Sequence, residues 1–132
     1  GMKKRVVVID DDYPIRLLLE KVLERSYNVM AFNNVGKAVE YMIQNGNPDA
    51  IITDIRLPVI DGKDFLKNIK SSARFNSIPV VVVSSWNDEN IKLECSNSGA
   101  DGYIQKPFDP QVVVKIIDEV VNRADKHKFL VG

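Results

Sequence analysis

The chain holds a single cysteine, Cys95, and a single histidine, His127, among 132 residues. An internal disulfide is therefore excluded, and no Cys/His cluster has zinc-ligand spacing, which suits a reducing setting and a cytoplasmic location. Charge of one sign is not in excess either: 18 Lys and Arg balance 18 Asp and Glu. With no global basic field, direct nucleic-acid binding by this segment is not expected. Long apolar runs are missing. Lys3-Lys4-Arg5 precedes only the short apolar run from Val6 to Ile9, after which Asp10, Asp11 and Asp12 follow, so neither a signal-peptide core nor a membrane span is present. Gly1 ahead of Met2 resembles a tag-removal remnant and is left out of fold reasoning. No internal repeat, low-complexity segment or Gly/Pro-rich linker interrupts the chain before Lys126.

What is present is an ordinary globular composition, 45% hydrophobic and 27% charged, at a length suited to one domain with its own core. Val6 to Ile9, Ile51 to Thr53 and Pro79 to Val83 are short β-branched runs without polar alternation, as in strands covered on both faces of a parallel sheet. Asn28 to Phe32 and Gly102 to Gln105 are weaker strand candidates. Between them lie helical patterns: Ile15, Leu18, Leu19, Val22 and Leu23 after a start at Asp12-Tyr13-Pro14, then Val35 to Gln44 stopped by Asn45-Gly46, Asp61 to Ser71, and Asp88 to Ser98. A last helix begins with Asp109 as cap and Pro110 in the first turn, with Val113, Ile116, Ile117, Val120 and Val121 as its apolar stripe. The order is (βα)5, which predicts right-handed crossovers and a five-stranded parallel sheet wound on both faces, with ligands bound beyond the carboxyl ends of the strands.

At those ends stand Asp10, Asp11 and Asp12 after the first strand, Asp54 after the third, Ser84 and Ser85 after the fourth, and Lys106 after the fifth. Carboxylates gathered this closely repel one another and call for a neutralising cation; oxygen donors without His or Cys favour Mg²⁺ or Mn²⁺ over zinc. A carboxylate flanked by a divalent ion, a lysine and a hydroxyl is suited to accept a phosphoryl group as covalent nucleophile, and being ionised at neutral pH it needs no base. His127 has no part in that chemistry, and Asp12 reads as a helix cap.

VVVIDDD (6–12), IITDIRLPVIDG (51–62), PVVVVSS (79–85) and GYIQKPF (102–108) together resemble the receiver domain of two-component response regulators. The resemblance covers residues 4–125 and leaves 126–132 as a C-terminal tail or the start of a linker. It implies a flavodoxin-like sheet of strand order 2-1-3-4-5 and a phosphorylation site at Asp54. Metal ligation is implied for Asp11, Asp54 and the Arg56 backbone carbonyl, with Asp10 acting through water. Ser84 and Tyr103 are implied as switch residues, and Lys106 as the phosphate-binding lysine, its bond to Pro107 cis. The implied partners are a histidine kinase or histidine phosphotransfer protein and a downstream effector domain or protein. Homodimerisation through the fourth helix, fifth strand and fifth helix is admitted, and no independent enzymatic activity is expected beyond assisting its own phosphorylation and dephosphorylation.

Arg56 and Trp86, each two residues beyond a site residue, depart from the smaller or acidic choices common in the family. They are expected to border the pocket with Ser85 and to shield a phosphoaspartate from water. The alternative is a receiver-like interaction module that works without phosphorylation. A flavin carrier is disfavoured because the loop after the first strand is acidic, and a two-aspartate phosphohydrolase because residue 56 is Arg.

Overall fold

The computed structural model describes residues 3–57, 60–85 and 89–131. Strands β1 (Arg5–Ile9), β2 (Asn28–Phe32), β3 (Ala50–Asp54), β4 (Val80–Ser84) and β5 (Gly102–Gln105) alternate with helices α1 (Tyr13–Leu23), α2 (Val35–Asn45), α3 (Gly62–Ser71), α4 (Glu89–Asn97) and α5 (Pro110–Val131). All strand pairings are parallel, as the (βα)5 pattern predicts, and the order is β2-β1-β3-β4-β5, as the family resemblance implies.

The continuous apolar runs fold as strands because both faces of the sheet are covered. Val6, Val8, Ile52, Val81 and Val83 point to the side packed by Leu19 and Leu23 of α1 and Val113, Ile117 and Val120 of α5. Their neighbours Val7, Ile9, Ile51, Val80 and Val82 point to the side packed by Met42 of α2, Phe65, Leu66 and Ile69 of α3, and Cys95 of α4. Each such Val or Ile, fully removed from water, contributes about 1.5–3 kcal/mol. Polar termini set the helix boundaries. Asp12 caps α1 by accepting from the Ile15 amide at 3.2 Å, and Asn34 caps α2 by accepting from Lys37 at 2.9 Å. At the other end of α2, Gly46 adopts φ of 87°, a conformation that side chains with a Cβ resist.

Residues 126–131, read as a tail or the start of a linker, are helical and continue α5. No Gly or Pro follows Pro110 before residue 132, and Lys128 sits in the last turn, where a cation complements the exposed carbonyls. Asp88, expected to begin the fourth helix, lies outside the described residues.

The turn into α3 is unusually close to the sheet. Gly62 donates its amide to the Ile55 carbonyl at 2.8 Å, and a Cβ on Gly62 would lie 2.5 Å from the Ile55 Cα and 2.8 Å from the Asp54 carbonyl oxygen. Both obstacles are backbone, so the helix would have to withdraw from the end of β3. Gly62→Ala is therefore expected to lower stability by about 2–3 kcal/mol, read by urea denaturation; an unchanged midpoint would show that the loop adapts freely.

Candidate functional site

Parallel pairing brings the carboxyl ends of β1, β3, β4 and β5 to one edge of the sheet. β1 and β3 are hydrogen-bonded neighbours, in register Ile9 to Thr53, so Asp10 and Asp54 emerge side by side. One carboxylate oxygen from each of Asp10, Asp11 and Asp54 lies within 4.8 Å of the others. Asp10 is fully buried and Asp54 nearly so, while Asp11 faces solvent.

Lys106 reaches into this cluster from the end of β5. Its Nζ donates to Asp54 Oδ2 at 3.1 Å and approaches Asp10 Oδ2 at 3.5 Å, with the lysine side chain 17% exposed. The Lys106 amide donates to the Ser84 carbonyl at 2.7 Å, which fixes the base of the side chain, and the Lys106–Pro107 peptide is cis. Lys106 is thus part of the acidic cluster rather than a solvated surface side chain.

Backbone amides supply further donors. The Asp12 amide donates to Asp10 Oδ1 at 2.9 Å and the Arg56 amide to Asp54 Oδ1 at 3.1 Å. Arg16 was not anticipated: its guanidinium donates to the Asp10 carbonyl at 2.8 Å and lies 5.4 Å from the ring of Tyr13. The only signal for it was its position in the first turns of α1, where a long cation reaches back over the acidic loop.

Ser84 is buried at the end of β4, and Ser85 beside it is exposed. Tyr103, half-buried on β5, packs against the cluster formed by the α2–α4 face. Arg56 is exposed. Trp86 lies outside the described residues.

Burial is the main reason the Asp10 carboxyl is pushed up from 3.8 to about 6, reinforced by Asp54 and opposed by the Asp12 amide and Lys106. Burial alone would lower the Lys106 ammonium, yet Asp10 and Asp54 together outweigh it and the net shift is upward. The donors fit a hard divalent cation: all are oxygens, two are carboxylates withdrawn from water, and one ammonium is too little charge for three carboxylates.

A family model, the response regulator receiver domain, matches residues 6–118. The chain belongs to the receiver domain family of two-component response regulators. It is 32% identical over 123 residues to the phosphate regulon regulatory protein PhoB of Escherichia coli, covering 92% of this chain and 53% of PhoB. It is 33% identical over 107 residues to histidine kinase P4 of Formosa agariphila, covering 81% of this chain and 8% of the kinase. The chain thus spans about half or less of these two relatives. Among solved structures, the CheY-like receiver domain protein of Methanospirillum hungatei superposes with a TM-score of 0.84 at 25% identity, covering 96% of this chain and 99% of that one.

In the metal-free receiver, the upward shift of Asp10 has a definite sign. Between pH 4 and about 6 the folded state keeps a proton that the unfolded chain has released, so this group's contribution falls as pH rises through that window and stays low above it. Asn at position 10 retains the Oδ1 acceptor and carries no charge. Asp10→Asn is expected to stabilise the protein in EDTA by about 1–3 kcal/mol at pH 7 and by little at pH 4. Urea melts at the two pH values check this, and equal gains at both would rule out the electrostatic cause.

Proposed function

We propose that Asp54 is the phosphoacceptor of a signalling switch, modified by a partner histidine kinase or histidine phosphotransfer protein in the presence of Mg²⁺ or Mn²⁺. The observation that carries this reading is the convergence of Asp10, Asp11, Asp54 and Lys106 at one sheet edge, with Lys106 bonded directly to Asp54. Asp11, Asp54 and the Arg56 carbonyl are the candidate ligands, with Asp10 acting through water; a bound divalent ion would neutralise oxygen charge during transfer.

In the transfer, an Asp54 carboxylate oxygen forms a bond to phosphorus as the bond from phosphorus to the donor imidazole nitrogen breaks, and the imidazole leaves with that electron pair. Lys106 holds Asp54 in place beforehand and stabilises the charge that gathers on the phosphoryl oxygens. Asp10, buried and tied to the Asp12 amide, adds negative field while keeping the loop shaped. Ser84 offers the hydroxyl that binds the product, and Tyr103 follows it inward, altering the face formed by α4, β5 and α5. The switch is driven by about two units of new negative charge in a site already crowded with anions. An effector domain or protein reads the altered face, and the domain itself turns over no other substrate.

Incubation with a cognate kinase or a small-molecule phosphodonor and Mg²⁺ is expected to produce acid-labile phosphate on the wild type and none on Asp54→Asn. Beryllium fluoride with Mg²⁺ is expected to change the fluorescence of Trp86, the single tryptophan; a flat response in correctly folded protein would instead support the phosphorylation-independent module. Arg56 shields the acyl phosphate from water in this reading, so Arg56→Ala should lose label faster than wild type, and equal half-lives would remove that role.

A further inference from the structure

The amino ends of the strands form the opposite edge of the molecule, and its chemistry is the reverse of the acidic site. A half-open cleft of about 540 Å³ lies there between the entries to β4 and β5 and the last turns of α5. Its wall includes buried Pro79 and half-buried Ala124. Lys70 and Asp101 meet in it at 2.8 Å and are both fully employed: Lys70 also donates to the Ile78 carbonyl at 2.9 Å, and Asp101 also accepts the Val80 amide at 2.8 Å. That pair contributes no net charge.

Arg123 and, about one helical turn further along α5, the adjacent His127 and Lys128 also line the cleft, and all three are exposed. Among the described residues no carboxylate forms an ion pair with any of them. The nearest acidic residue of the same turns, Asp125, is engaged by Lys4. The cleft therefore presents Arg123 and Lys128, neither in an ion pair among the described residues, beside an apolar wall at the far end of the sheet from Asp54; Glu119, one turn before Arg123, does not line it.

We propose that this cleft is a docking site for an acidic peptide segment of a partner protein, one that alternates carboxylate and apolar side chains. Charge complementarity selects the carboxylates, and the recessed wall of Pro79 and Ala124 takes an apolar side chain, which a flat anionic surface could not insert. A trough of this volume, open along one side, suits a chain segment. Because the cleft and Asp54 lie at opposite edges, docking does not depend on phosphorylation; it tethers the receiver to a partner while the acidic end stays free for the kinase.

The probe is a fluorescein-labelled octapeptide of alternating Glu and Leu, titrated with the full chain and followed by anisotropy. The expected result is saturable binding that weakens with added salt, falls by about tenfold or more in Arg123→Glu/Lys128→Glu, and is unchanged by Asp54→Asn or by beryllium fluoride. Both substituted residues are exposed, so the double variant should retain its fold and its Asp54 phosphorylation, which serve as controls. Absence of binding, equal binding of a Lys/Leu octapeptide, or an undiminished affinity in the double variant overturns the proposal. Binding of phosphatidylglycerol vesicles or of an RNA oligonucleotide more tightly than the peptide, and abolished in the double variant, would overturn the choice of a peptide in favour of that polyanion. Loss of Asp54 phosphorylation in the wild type would sink the reading of the acidic site and leave this one standing.

Discussion

Three carboxylates held within a few ångströms by one ammonium group are the constraint on which the rest of this structure depends. Asp10 and Asp54 are withdrawn from water at the ends of adjacent strands, where their mutual repulsion is poorly screened. Lys106 and two backbone amides offset part of that cost and leave the remainder in place. A protein shaped for stability alone would put apolar or amide groups there. The stored repulsion makes the site receptive to cations and responsive to a further change in charge.

The fold supplies what the cluster needs, namely rigid placement. β1, β3 and β4 are buried on both faces, and the residues that follow them have little freedom to separate. Gly62 closes the exit from β3 by packing its backbone against the Asp54–Ile55 peptide, and Asp61 caps α3 at the Lys63 amide, 2.8 Å away. The loop beyond Asp54 is thereby anchored on both sides of the segment that carries Arg56. A small displacement at Asp54 is resisted by the strand and passed to the elements that pack beside it.

Much of this was legible in the chain because the signals were redundant. Val6 to Ile9 and Pro79 to Val83 read as buried strands from composition, and the aspartates at the ends of β1 and β3 and Lys106 after β5 needed only the parallel order to be brought together. Arg16 escaped because its partner is a main-chain carbonyl, which no pattern of side chains announces. The full extent of α5 was less legible for a related reason. A polar stretch rich in Lys looks like a tail when judged by hydrophobicity, although its residues are good helix formers and continue a helix already nucleated and packed through Val113, Ile117 and Val121.

That extension changes the electrostatics of the whole molecule. A net charge of zero conceals local clusters: Asp10, Asp11, Asp12 and Asp54 gather at one edge of the sheet, and Arg123, Lys126 and Lys128 lie in the last turns of α5. Part of the basic end has a local cause, since cations near a helix C-terminus interact favourably with its exposed carbonyls. That effect accounts for Lys128 in the last turn. It does not account for Arg123, two turns earlier and beyond the reach of the terminal carbonyls, in no ion pair among the described residues and beside a cleft with buried Pro79 in its wall. Glu119 stands one turn before Arg123 without lining the cleft, and position 127, one turn after it, is His. The charge at Arg123 thus belongs to the wall of the cleft, where the proposed acidic peptide would meet it.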